Sequence, residues 1–129
     1  MVVRVLIIDG HPAVGRGLKA LLEAMPGLEV IGVADCPARG LWQAVRTPPN
    51  VALVDAEMPG LASPAVIRLL RARAPETKVV ALGTYPKRRA TALQAGAHEF
   101  LLKDAGYEAL RAAIGGPIET PIGADGDAG

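Results

Sequence analysis

Short aliphatic runs alternate with stretches of helical period along most of the chain. Runs at 3–8, 28–34, 51–54, 79–82 and 99–102 read as five strands. Most are apolar throughout rather than alternating, which is what a parallel strand covered on both faces requires. Between them, Val14, Leu18, Leu21, Leu22 and Met25 recur on one helical face. Leu41 and Val45 do the same, as do Val66, Leu69, Leu70 and the stem of Arg73, and finally Tyr107, Leu110 and Ile114. The stretch 87–95 predicts a weaker helix, carried by alanines and Leu93.

Punctuation agrees with this parse. Pro12 and Pro64 stand where a first helical turn begins, with Ser63 as the expected N-cap of its helix. Pro26-Gly27 and Gly96 stand where helices stop. Strands alternating with helices imply right-handed crossovers, hence an α/β fold with a doubly wound five-stranded parallel sheet and helices on both faces. Residues 1–115 form the expected domain. Residues 116–129 have the Gly, Pro and Asp content of a flexible linker or tail.

Bulk properties narrow the function without supplying one. A chain of 129 residues suits one domain with a single core region. With 3% aromatic residues, that core must be built from Val, Leu, Ile and Ala. A formal charge of +1 gives no overall electrostatic footprint for nucleic acid or an acidic membrane. The single cysteine, Cys36, excludes an internal disulfide and fits a reducing interior. No apolar run reaches the length of a membrane span, and MVVRVLIID enters a strand directly, without a signal peptide. A cytoplasmic domain is the expectation.

Candidate chemistry lies at the strand ends. In an open parallel sheet, ligands bind beyond the carboxyl ends of the strands, where strand order reverses. Asp9 leaves the first strand, Asp55 the third, Gly83-Thr84 the fourth and Lys103 the fifth. Two acids, a hydroxyl and an amine therefore converge by topology alone. Asp9-Gly10 does not make a dehalogenase-type phosphatase, because His11 stands where the second aspartate is needed. Cys36 has no paired base, and Gly15-Arg16-Gly17 falls inside a helix rather than in a phosphate loop. Lys87-Arg88-Arg89 reads as a solvated helix face. The chain is not expected to be an enzyme.

The stretches IIDGHPAVGRGLKALLEAMPGLEVIG, VALVDAEMPG, RLLRARAPETKVVAL and LQAGAHEFLLKDA resemble the receiver domain of bacterial two-component response regulators, in particular the LuxR-type, NarL-like transcriptional group. That resemblance implies the flavodoxin-like receiver fold with strand order 2-1-3-4-5. It implies Asp55 as the acceptor of a phosphoryl group from a histidine kinase, with Asp9 and Glu57 in the acidic pocket. Asp9 and Asp55, with the Glu57 backbone carbonyl, would hold Mg²⁺. Lys103 takes the position of the lysine that pairs with acceptor and phosphoryl group, and Gly83, Thr84 and Phe100 fall at switch positions.

Two departures stand out. The resemblance implies two adjacent acids before His11, and here the second is Gly10. It also implies Ser or Thr at the end of the fourth strand, and here that residue is Gly83, with Thr84 one position on. The fourth helix or its loop is about two residues shorter than in the family. Imidazole suits softer metals than magnesium, so His11 does not replace the missing acid. The expectation is no cofactor, or Mg²⁺ held only weakly, and control with little or no dependence on phosphorylation. DNA would be reached only through a helix-turn-helix beyond residue 129. The alternative is a free-standing pseudo-receiver acting through protein contacts or a ligand. Self-association is expected through the first and fifth helices, because Lys87, Arg88 and Arg89 would repel their symmetry mates across the fourth.

Overall fold

A computed structural model describes residues 2–59 and 62–115. Ten elements follow in strict alternation: β1 (Val3–Ile8), α1 (Pro12–Glu23), β2 (Leu28–Ala34), α2 (Pro37–Arg46), β3 (Val51–Asp55), α3 (Ala62–Arg73), β4 (Lys78–Gly83), α4 (Arg88–Ala95), β5 (Glu99–Leu102) and α5 (Tyr107–Gly115). The sheet is fully parallel in the order β2-β1-β3-β4-β5. Fold class and strand order are as expected.

Alternation along each strand divides the sheet residues between two cores, because successive side chains point to opposite faces. Leu6, Ile8, Ala52, Val54, Val79 and Ala81 pack with Ala44 of α2, Val66, Ile67 and Leu70 of α3, and Ala92 and Ala95 of α4. Val5, Ile7, Leu53, Val80 and Leu82 pack with Leu22 of α1 and Leu110, Ala113 and Ile114 of α5. Leu6, Ile7 and Ile8 are wholly buried, each burial contributing roughly 1.5–3 kcal/mol against leaving the side chain in water. That is why these strands carry no polar face.

Several sequence readings shift by a residue or a face. The third strand runs on to Asp55, and the fourth begins at Lys78 and ends at Gly83. Lys78 is buried despite its charge, its Nζ lying 2.7 Å from Glu99 Oε2 and donating to the Ala113 carbonyl at 2.7 Å. The expected N-cap at Ser63 is corrected. Ser63 lies inside α3, and its hydroxyl accepts the Met58 N–H at 2.9 Å and donates to the Asp55 carbonyl at 2.6 Å. The expected helical faces are only partly buried: Val14, Leu21, Val45, Leu69 and Tyr107 remain exposed. Gly15 lies in α1, where an added Cβ would come within 2.7 Å of Val33, so its small size serves close packing. Gly96 ends α4 with φ of 117°, a left-handed conformation that glycine adopts at no steric cost.

The expected linker over 116–129 lies outside the described residues. Among the described residues no helix is long and apolar enough to cross a membrane.

Candidate functional site

Strand order reverses between β1, which pairs with β2 on one side, and β3 on the other. The crevice beyond their carboxyl ends is where the topology delivers side chains. Asp9 follows β1, Asp55 closes β3, and Lys103 follows β5. Both acids are buried, with side chains 2% and 0% exposed. Each folds back on its own chain in the same way. Asp9 Oδ1 accepts the His11 N–H at 2.9 Å, and Asp55 Oδ1 accepts the Glu57 N–H at 2.9 Å. Such bonds to the residue two positions on turn the chain at the strand end and hold the carboxylate in one orientation.

Lys103 bridges the pair. Its Nζ lies 3.4 Å from Asp9 Oδ2 and 3.4 Å from Asp55 Oδ1, so one ammonium faces two carboxylates. One net negative charge is left over. Asp55 Oδ2 is buried with no hydrogen-bond partner, the one such side-chain atom among the described residues. Leaving a buried oxygen of this kind unpaired is costly, so the pocket favours a cation or an electrophile at that position.

His11 enters this pocket although its sequence position gave it no role. Its Nδ1 lies 3.4 Å from Asp9 Oδ1 and 3.7 Å from Asp55 Oδ2. Asp9, His11 and Asp55 each offer one ligand atom, all within 4.8 Å of one another. The signal in the sequence is the D-x-H spacing itself, because the turn at Asp9 brings the second following residue back over its carboxylate.

Glu57 does not join them, and its expected place in the acidic pocket is corrected. Its carboxylate turns to the β4–α4 connection and accepts the Thr84 N–H at 2.8–2.9 Å and the Tyr85 N–H at 3.1 Å. Two backbone donors outcompete a crevice that is already acidic. Thr84 contributes its backbone N–H here, and the residue is exposed.

Gly83 and Phe100 meet face to face. The Phe100 residue is 8% exposed, and a Cβ added at Gly83 would lie 2.8 Å from two of its ring atoms and 2.9 Å from Glu57 Oε2. The space in which a hydroxyl-bearing side chain would sit is filled by an aromatic ring and a carboxylate. Gly10 is the opposite case, since an added Cβ would meet only Met58 at 3.7 Å. A Cβ fits there without rearrangement.

Comparison with known proteins gives a consistent picture. The family model described as response regulator receiver domain matches residues 5–115. The transcriptional regulatory protein MctR of Rhizobium johnstonii is 37% identical over 114 residues, covering 87% of this chain and 53% of its own length. The response regulator GacA of Pseudomonas viridiflava is 36% identical over 117 residues, with the same coverages of 87% and 53%. The chain thus spans about half the length of the curated relatives it matches. Among solved structures, the signal receiver domain of NarL from Mycobacterium tuberculosis superposes with a TM-score of 0.79 at 32% identity, covering 90% of this chain and 98% of that one.

Proposed function

Because the chain belongs to the response regulator receiver family, we propose that it is an atypical receiver that controls transcription with weak or no dependence on phosphorylation. Its output would be a C-terminal DNA-binding domain, in keeping with relatives of which it spans about half. Asp55 takes the acceptor position, with Asp9 and Lys103 beside it. Asp9, Asp55 and the Glu57 backbone carbonyl would hold Mg²⁺, which in this chemistry offsets charge on the phosphoryl oxygens. The donor set suits that ion poorly, because both carboxylates are already shared with Lys103 and no acid stands at residue 10.

The observation that carries this reading is the filled space at Gly83. A receiver that reads its phosphoryl group needs a donor reaching in from the end of β4. Here the ring of Phe100 and the carboxylate of Glu57 occupy that volume in the resting protein. Phosphorylation of Asp55 would therefore meet no hydroxyl to pull and no free aromatic site to fill. The domain would act as a protein-interaction module of the cytoplasm, with no catalysis of its own. A histidine kinase is the partner that the family implies, and a second copy of the chain is the partner we favour. The groove between α1, β5 and α5 supports that choice. It has a volume of about 320 Å³ and is lined by Val14, Leu18, Leu21, Leu101, Tyr107 and Leu110 among others.

Incubation with acetyl phosphate and Mg²⁺, read by intact mass and phosphate-affinity gels, tests the reading. Little or no adduct at Asp55 is the expected result. Stoichiometric Mg²⁺-dependent labelling that disappears in Asp55→Asn, with a matching change in assembly, would overturn it.

A further inference from the structure

The geometry points to a borderline transition metal such as Co²⁺ or Zn²⁺, rather than Mg²⁺, as the ion this pocket selects, with His11 as the third ligand beside Asp9 and Asp55. The inference rests on the reading of the crevice as an altered acceptor pocket, and it concerns the ion rather than the phosphoryl group.

Three observations carry it. The first is the donor set. One imidazole nitrogen and two carboxylate oxygens converge from β1, its following turn and β3. Mg²⁺ takes oxygen ligands and gains little from imidazole, whereas Co²⁺ and Zn²⁺ accept mixed nitrogen and oxygen sets. The second is spacing. His11 Nδ1 stands 3.4 Å from Asp9 Oδ1 and 3.7 Å from Asp55 Oδ2. Ligands bound at about 2.0–2.1 Å around a tetrahedral ion are about 3.4 Å apart.

The third observation is independent of the cluster's composition. Asp55 Oδ2 is fully buried, has no hydrogen-bond partner and faces His11. Lys103 already serves Asp9 Oδ2 and Asp55 Oδ1, so Asp55 Oδ2, which has no partner, and Asp9 Oδ1, which accepts only the His11 N–H, are the atoms open to a metal. Asp9 and Asp55 are each oriented by a backbone N–H, which is the outer support that ligating carboxylates require. The histidine is 65% exposed and forms the mouth, so an ion enters from solvent and water completes the coordination.

Metal-free protein titrated with Co²⁺, Mn²⁺, Zn²⁺ and Mg²⁺ tests the assignment. Calorimetry gives affinity, Co²⁺ absorption reports nitrogen ligation, and histidine NMR locates the site. The chain has two histidines, and His98 lies before β5, at the opposite end of the sheet. Co²⁺ is expected to bind at least tenfold more tightly than Mg²⁺. Co²⁺ should shift and broaden the His11 ring signals while sparing those of His98. His11→Ala and His11→Gln should each weaken Co²⁺ and Zn²⁺ at least tenfold, with Mg²⁺ affinity and the circular dichroism spectrum unchanged. Gly10→Asp should narrow the gap by raising Mg²⁺ affinity. Equal Mg²⁺ and Co²⁺ affinities, Co²⁺ binding indifferent to His11, or no binding of any of the four ions would each overturn the inference. Labelling of Asp55 by a phosphodonor is a separate outcome, so failure here and failure of the functional reading are told apart.

Discussion

Lys103 Nζ stands equidistant, at 3.4 Å, from Asp55 Oδ1 and Asp9 Oδ2, and it is the group that lets two buried carboxylates share one crevice. Asp9 and Asp55 end neighbouring strands, so neither can move away from the other without disturbing the sheet. Lys103→Ala is therefore expected to destabilise the metal-free protein by about 1–3 kcal/mol, the usual cost of leaving a buried polar group unsatisfied. Urea unfolding at neutral pH checks this. An unchanged or raised midpoint would show that the bridge contributes nothing, as many partly exposed pairs do.

Gly83→Thr should not restore switching. The new Cβ would lie 2.8 Å from the Phe100 ring, so the ring or the strand end must shift. Overpacking of this kind costs about 1–3 kcal/mol. Thermal melts should show the loss, and the Phe100 ring resonances should move. In a Phe100→Ala background, Gly83→Thr should cost less than it does in the parent, as a double-mutant cycle would show. A Gly83→Thr protein as stable as the parent, with Phe100 undisturbed, would mean that the space is not closed.

His98 should make stability fall on mild acidification. Burial lowers its pKa from the ordinary 6.5, and the nearby Arg71 and Lys78 charges lower it further, with the Val79 backbone and Glu99 opposing them. Its Nδ1 also accepts the Val79 N–H at 3.0 Å, a bond that protonation at that nitrogen would break. The folded state thus binds a proton less readily than the unfolded chain. The contribution is fully present above pH 6.5, and it is lost as pH drops from there through the depressed folded value. Unfolding midpoints measured from pH 7.5 to pH 5 should decline, and His98→Gln should flatten that decline.

Self-association should depend on the α1–α5 face. Leu21 and Tyr107 are 39% and 41% exposed and line its groove, an unusual place to leave large apolar groups unless another surface covers them. Leu21→Asp is expected to convert dimer to monomer in sedimentation at micromolar concentration without lowering the melting temperature. Charge reversal at Arg89 on α4 should leave the dimer intact. A dimer that ignores Leu21→Asp and dissociates on Arg89→Glu would move the interface to α4.

Hydrophobic pattern and punctuation were enough to place all five strands, because a parallel strand buried on both faces must be apolar throughout. Once strands and helices alternate, chirality and topology bring the strand ends together. Asp9, Asp55 and Lys103 are therefore legible as neighbours in the sequence. Side-chain direction was not. The 3.6-residue period that groups Val14 with Leu22, or Leu69 with Leu70, marks an apolar face but not how much of it a neighbour covers, and Val14 and Leu69 stay exposed. Ser63 looked like a cap from its place before a proline, yet its hydroxyl is committed to Met58 and Asp55 across the β3–α3 connection. Glu57 looked like a second pocket acid, but two backbone N–H groups brought near by the end of β4 hold it elsewhere. The return of His11 over Asp9 and the closure of Phe100 on Gly83 likewise depend on turn geometry and on which strands are adjacent. The chain alone fixes which residues arrive at the crevice, since burial follows from pattern and strand order from the resemblance to the receiver family. Which atoms face one another there is decided by competition among donors and by packing volume, and those exist only once the strands have assembled.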